Sequence, residues 1–323
     1  MKGRILLLAL LFVFTSFAGQ AQDAWDYMDQ AAVAEADKEY EQAIEAYQKA
    51  LALEPENSLV LFGLANASYE AGQYEVAIAR AEQVIVLADM MVNEAYMVQG
   101  MALEGLGKSE EAIQTLEAAR ALNDGYFLLH FALARSYAKV EKHEEAEACL
   151  MKALRLNPGH TESSYFLSQI SSEMQHPARA IIPLYSIMFI EPFSEQSNRA
   201  YQDIVRGFAS EQEAAPGMEA PFDKASTFLA RVSRELTEDD YHDSLDRYIM
   251  GSSRFLRKLI LLSEGQSGTV WWDVYVPFFK RINEAGHLET FLYRIAQEHE
   301  PAAKAWVEAH PEAIRNFEDW FMN

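Results

Sequence analysis

The chain has 323 residues, half of them hydrophobic and 12% aromatic, which excludes a disordered chain and provides for a sizeable core. Forty-nine acidic residues against 27 basic ones give a formal charge of −22, so nucleic acid is not an expected partner, because phosphate binding depends on clustered Lys and Arg. Cys149 is the one cysteine, so no internal disulfide can contribute to the fold.

At the amino terminus, Lys2 and Arg4 precede an apolar run from Ile5 to Phe14, followed by small residues at Gly19 and Ala21. This is the pattern of a secretory signal peptide over residues 1–21, with the mature chain beginning at Gln22. The run is about half of what a membrane-spanning helix needs, and no later stretch comes near 18 uninterrupted apolar residues. No cysteine stands just after the cleavage position, so an exported, soluble periplasmic protein is expected and not a lipoprotein. The ending Gly19-Gln20-Ala21-Gln22 resembles that of exported proteins of the Bacteroidota.

From residue 24 the chain repeats. Blocks beginning at Ala24, Ser58, Asn93, Phe127 and Thr161 align Ala43, Ala77, Ala112, Ala146 and Ala180 in one column. Twelve residues earlier stand the small residues Ala31, Ala65, Gly100, Ala134 and Ser168, and ten residues later the aliphatic Leu53, Leu87, Leu122, Leu156 and Ile190. Such a period marks stacked supersecondary units. The two small columns are expected where the two helices of a hairpin cross closely, and the aliphatic column is expected to close each hairpin on its neighbour. Gly72 and Gly107 fall in turns; Pro55, Pro158 and Pro192 end second helices, with Asp89 and Asp124 at the equivalent positions of the other two.

The segment from Glu39 to Leu51 with Pro55, and the fourth block with Leu133, Ala134, Tyr137, Ala146, Leu150, Ala153 and Pro158, resemble the tetratricopeptide repeat family over residues 24–194. The resemblance implies an all-α fold, a right-handed solenoid of five helical hairpins. Pro183 is expected to kink the second helix of the fifth hairpin. A capping helix is expected from Ser194 to Ala209, with Tyr201, Ile204, Val205 and Phe208 at helical spacing, giving a solenoid over residues 22–210.

The resemblance also implies that the first helix of each hairpin lines a groove through its fifth and ninth positions. These are Met28, Phe62, Met97, Phe131 and Tyr165, and Ala32, Asn66, Met101, Arg135 and Gln169. A ladder of Met and aromatic residues with a few polar groups suits a protein or peptide partner. The basic clamp by which chaperone-binding members hold a terminal carboxylate is absent, since the second position gives Trp25, Leu59, Glu94, Leu128 and Glu162. Arg135 alone could take a carboxylate bidentately.

Residues 211–223, with Ala214-Ala215-Pro216-Gly217, read as a linker to an α-helical carboxy-terminal domain over residues 224–323 that resembles no family. Thr237 with Glu238, Asp239 and Asp240 predicts a helix start, and Gly251-Ser252-Ser253 a bend in the helix that follows. Residues 264–268 break the chain, and helices are expected near 287–298, 301–309 and 311–322. Between them, Trp271, Trp272, Val274, Tyr275, Val276, Phe278 and Phe279 form an aromatic cluster that is either core or an exposed platform for a glycan. No catalytic residue, metal site or cofactor is assigned: His242, His287, His299 and His310 lack metal-ligand spacing, and no nucleophile or phosphate-loop motif occurs. The expected function is a periplasmic protein-binding scaffold. The alternative is an envelope glycan- or cell-wall-binding protein using Trp271 and Trp272; a hydrolase built from residues distant in sequence is the third reading.

Overall fold

The computed structural model describes residues 23–87, 90–209, 220–238 and 243–323. The signal-peptide pattern, Asp89 and most of the 211–223 stretch lie outside them. The fold is all-α: the described residues contain helices and no strand. They group into two compact units, one up to residue 121 and one from residue 122 to the end.

In the first unit, α1 (Ala24–Ala36) packs on α2 (Tyr40–Leu53), and α3 (Ser58–Glu70) on α4 (Tyr74–Leu87). Next come α5 (Val92–Gly105) and α6 (Ser109–Leu122). Local chemistry sets the helix starts. Asp23 and Asp26 form a reciprocal capping box on α1, and the Asn57 side chain accepts from the amides of Leu59 and Val60 on α3. The small columns lie where expected: Ala31 and Ala65 are fully buried, as are Ala43, Ala77 and Ala112. At Gly100 a Cβ would stand 2.7 Å from Cγ of Leu116 on the partner helix, so the crossing there admits no side chain. Gly63 does the same under the Tyr47 ring.

The expectation for the aliphatic column is wrong. Leu53, Leu87, Leu122, Leu156 and Ile190 are 39 to 68% exposed. The reason is angular. At about 100° per residue, a position seven after the column alanine returns to the same helix face, while one ten after it points roughly 80° away. The positions at plus seven are Ala50, Val84, Ala119, Ala153 and Ile187, and all five are fully buried.

The turns within hairpins form a column of their own, at Lys38, Gly72, Gly107, Glu141 and Gln175, each with φ between 59° and 74°. Two are glycine. The other three hold L-residues in the left-handed region, so the turn geometry recurs where the glycine signal does not.

In the second unit, α7 (Phe127–Lys139) packs on α8 (His143–Leu156), and α9 (Thr161–Glu173) on α10 (Pro177–Ile190), followed by the capping helix α11 (Glu195–Gly207). Pro183 lies inside α10, which runs on to Ile190. The remaining elements are α12 (Ala220–Glu238), α13 (Ser244–Leu262), a π-helical turn at Trp271–Tyr275, α14 (Val276–Glu284), α15 (Leu288–Ala296), α16 (Pro301–Ala309) and α17 (Pro311–Met322).

The carboxy-terminal helices share one core with the fourth and fifth hairpins. The Tyr185 hydroxyl on α10 donates to Ser252 Oγ on α13 at 2.8 Å, and the hydroxyls of Ser164 and Tyr275 are hydrogen-bonded at 3.0 Å. The half-buried Arg179 guanidinium donates to both carboxylate oxygens of Glu147, at 3.2 and 3.0 Å, and lies 4.8 Å over the Phe222 ring. Phe222 in turn stacks on Trp272 at 4.5 Å. Phe222 therefore sits in the core, within α12, rather than in a linker.

One further expectation changes. Thr237 and Glu238 end α12 rather than begin a helix, Asp239 and Asp240 lying outside the described residues; the next start is Asp243, whose side chain accepts from the Leu245 amide. The helix α13 runs without interruption through Gly251-Ser252-Ser253. These small residues let α13 approach its neighbours, since a Cβ at Gly251 would stand 2.6 Å from Cγ of Phe208.

Candidate functional site

The fourth and fifth hairpins carry two adjoining pockets within the second unit. The first, about 440 Å³, lies between α7, α9 and the start of α11 and is lined by Phe131, Arg135, Tyr165 and Gln169. These four residues, picked out from the sequence, thus meet in one place. Phe131 and Arg135 are one helical turn apart on α7, and Tyr165 and Gln169 one turn apart on α9, so both pairs face the same way. Arg135 and Gln169 are exposed; Phe131 and Tyr165 are half-buried. Phe131 is held edge-on to His160 at 5.0 Å and to Phe166 at 6.3 Å, so it is wall as well as contact surface. Gln196 of the capping helix donates to the Thr161 carbonyl at 3.3 Å, tying the end of the pocket to α9.

The pocket also holds Lys139, Phe166, Ile170 and Glu173, which the sequence reading missed. Lys139 and Glu173 stand one turn beyond the ninth positions, at 135 plus four and 169 plus four. That column was open to reading, because residues four apart share a helix face.

The second pocket, about 410 Å³, shares Tyr165, Gln169 and Glu173 with the first and continues to α11. It is more polar, lined among others by Ser168, Ser172, Asp203 and Arg206. Asp203 accepts from Arg206 at 2.8 Å; burial pushes its carboxyl above the ordinary range, with the Arg206 guanidinium opposing. Ala180, fifth in the alanine column, borders this pocket and is half-buried where its four counterparts are buried.

In the first unit the expected groove residues are less free. Met28 packs against the core of the first hairpin, and Phe62 and Met101 against the core that follows. Asn66 donates to Glu35 at 3.3 Å, and the same carboxylate accepts from the Tyr47 hydroxyl at 3.0 Å. Met97 is half-buried and Ala32 exposed.

Trp271 and Trp272 are 0 and 4% exposed. Phe222 packs on both rings and Tyr275 on that of Trp271, so the alternative of a second surface has no exposed indole there. Among the described residues, no group of three His, Cys, Asp or Glu is placed to hold a metal ion, and no helix is long and apolar enough to cross a membrane.

Three tetratricopeptide-repeat family models match the chain, over residues 34–88, 62–127 and 127–160. The TPR repeat-containing protein YpiA of Bacillus subtilis (strain 168) is 30% identical over 129 residues, which are 40% of this chain and 30% of that protein. The chain thus matches under a third of that relative's length. Among solved structures, the thermophilic TPR protein TTC0263 of Thermus thermophilus is 21% identical, with a TM-score of 0.49 over 56% of this chain and 99% of the other. PilF of Pseudomonas aeruginosa is 16% identical, with a TM-score of 0.48 over 68% of this chain and 93% of the other.

Proposed function

Because residues 34–160 of this chain are tetratricopeptide repeats, we propose that it is a periplasmic scaffold or adaptor that holds a protein partner in the groove of its first helices. The observation that carries this reading is the convergence of Phe131, Arg135, Tyr165 and Gln169 in one pocket. Such a pocket offers an apolar anchor site with polar groups at its rim, the layout in which binding energy concentrates. Export is supported by the charged and apolar pattern of residues 1–21. The burial of Trp271 and Trp272 removes the support for the glycan-binding alternative.

The test is capture of partners from the envelope fraction with the mature chain as bait. Arg135→Glu combined with Gln169→Arg alters two exposed groove residues and should release most of the captured partner with helical content unchanged. Leu261→Ser, at an exposed position away from the groove, should not. Equal capture by all three baits would refute the groove. Mass spectrometry of the native protein should find Gln22 at its amino terminus; a retained Met1 in the cytoplasmic fraction would refute export.

A further inference from the structure

Arg135 and Lys139 stand one turn apart on α7, both exposed and both lining the first pocket. Several basic side chains of this unit are tied to carboxylates, among them Lys152, Arg155, Arg179, Arg206, Arg254 and Arg294. Arg135 and Lys139 form no ion pair or hydrogen bond among the described residues. In a chain of charge −22, two adjacent unpaired cations on α7, with the carboxylates Glu162 and Glu173 on α9, give this apolar pocket one positive side. Such an asymmetry selects a partner by complementarity.

We infer that the groove binds an extended internal segment of its partner, in which an acidic side chain lies beside an apolar one. The apolar residue enters between Phe131, Tyr165, Phe166 and Ile170, and the carboxylate meets Arg135 and Lys139. Beyond Tyr165 and Gln169 the segment runs into the second pocket. There Ser168 and Ser172 offer hydroxyls, and the Glu173 carboxylate disfavours a further acidic residue, Asp203 being paired with Arg206. This inference rests on the proposed use of the groove and specifies its ligand.

Charge balance points to a single side-chain carboxylate. The cations Arg135 and Lys139 stand on α7 and the carboxylates Glu162 and Glu173 on α9, so one carboxylate finds the cation pair at the α7 wall while a polyacidic run would meet the acids of α9. Glu162 stands where a clamp for a chain terminus would need a cation. A carboxylate on a methylene stem reaches sideways from the groove axis to the α7 wall, which a main-chain terminus does not.

The experiment is fluorescence anisotropy on the full chain with three labelled peptides. The first is blocked at both ends and carries Ala-Leu-Asp-Ala-Ser-Lys-Ala; the second has Asn in place of Asp; the third, Ala-Lys-Ser-Ala-Ala-Leu, is blocked at its amino end only and ends in a free carboxylate on Leu. The Asp peptide should bind about tenfold more tightly than either of the others, as a charge-assisted contact requires. Arg135→Glu with Lys139→Glu should remove that preference, and a peptide with Lys in place of Asp should regain binding to this variant. Equal binding of the Asp and Asn peptides, tighter binding of the free terminus, or failure of the charge swap would overturn the inference. A photo-crosslinker at Gln169 separates the two levels. If an envelope partner still crosslinks there without a charge preference among the peptides, the groove stands and its acidic ligand falls. If nothing crosslinks, the scaffold reading falls as well.

Discussion

Gly251→Ala sets two effects of known sign against each other. Gly251 lies in the interior of α13, where alanine is favoured over glycine by about 1 kcal/mol on helix propensity alone. Against this, the new Cβ would stand 2.6 Å from Cγ and 2.7 Å from Cδ1 of Phe208. Phe208 is fully buried and packed edge-on to Phe255 at 6.4 Å. The nearest atom is the ring carbon joined to Cβ, so no rotation about χ2 removes the overlap and the helix or the ring must move. Overpacking of this kind costs about 1 to 3 kcal/mol, and a rigid neighbour places it in the upper part of that range. The expected net loss is about 1 to 2 kcal/mol.

Urea unfolding followed by tryptophan fluorescence measures it, because Trp271, Trp272, Trp306 and Trp320 all lie in the unit that contains the contact, and only Trp25 lies outside it. Phe208→Leu should cost stability alone but less when combined with Gly251→Ala, since the shortened side chain frees the space the new methyl needs. A Gly251→Ala variant more stable than the parent by the full propensity gain would refute the close approach.

Two further outcomes are expected. Glu141→Gly and Gln175→Gly should each stabilise by about 0.5 to 1 kcal/mol, because a left-handed L-residue costs about 1 to 2 kcal/mol and the added freedom of glycine in the unfolded chain takes back about half of that. A loss of melting temperature in both would contradict the positive φ at these turns. For pH, burial lowers the pKa of His160, His176 and His299 below 6.5, so each binds its proton less readily folded than unfolded. Their stabilising effect is therefore whole above the unfolded value and is lost as pH falls through it towards the lowered folded values. The acidic surface works the other way on acidification, so the comparison is between parent and His299→Gln. The parent should lose more melting temperature than the variant between pH 7 and pH 5, and parallel curves would refute the assignment.

The repeat was legible because it is one-dimensional. Five small residues at one spacing from five alanines need no knowledge of the tertiary fold, and each column is local to a hairpin. The aliphatic column misled for a reason that was also local: Leu53 and its equivalents are a fixed distance from the alanines but on another face, and the buried Ala50 and Val84 at plus seven were less conspicuous as residues. The second half was illegible in a different way. Its core pairs join residues far apart in the chain, such as Tyr185 with Ser252 at a separation of 67 and Ser164 with Tyr275 at 111, and no periodicity announces such a partner. A run of aromatics from Trp271 to Phe279 reads equally as platform or core until the residue that covers it is known, and here that residue is Phe222, from a stretch whose composition suggested a linker. The groove falls between these cases. Periodicity brought Phe131, Arg135, Tyr165 and Gln169 to one face, but extending the same columns by one turn would have added Lys139 and Glu173. With Lys139 the lone arginine becomes a pair of cations on the α7 wall, facing the same apolar pocket as Phe131, and it is that pair which the inferred acidic ligand would meet.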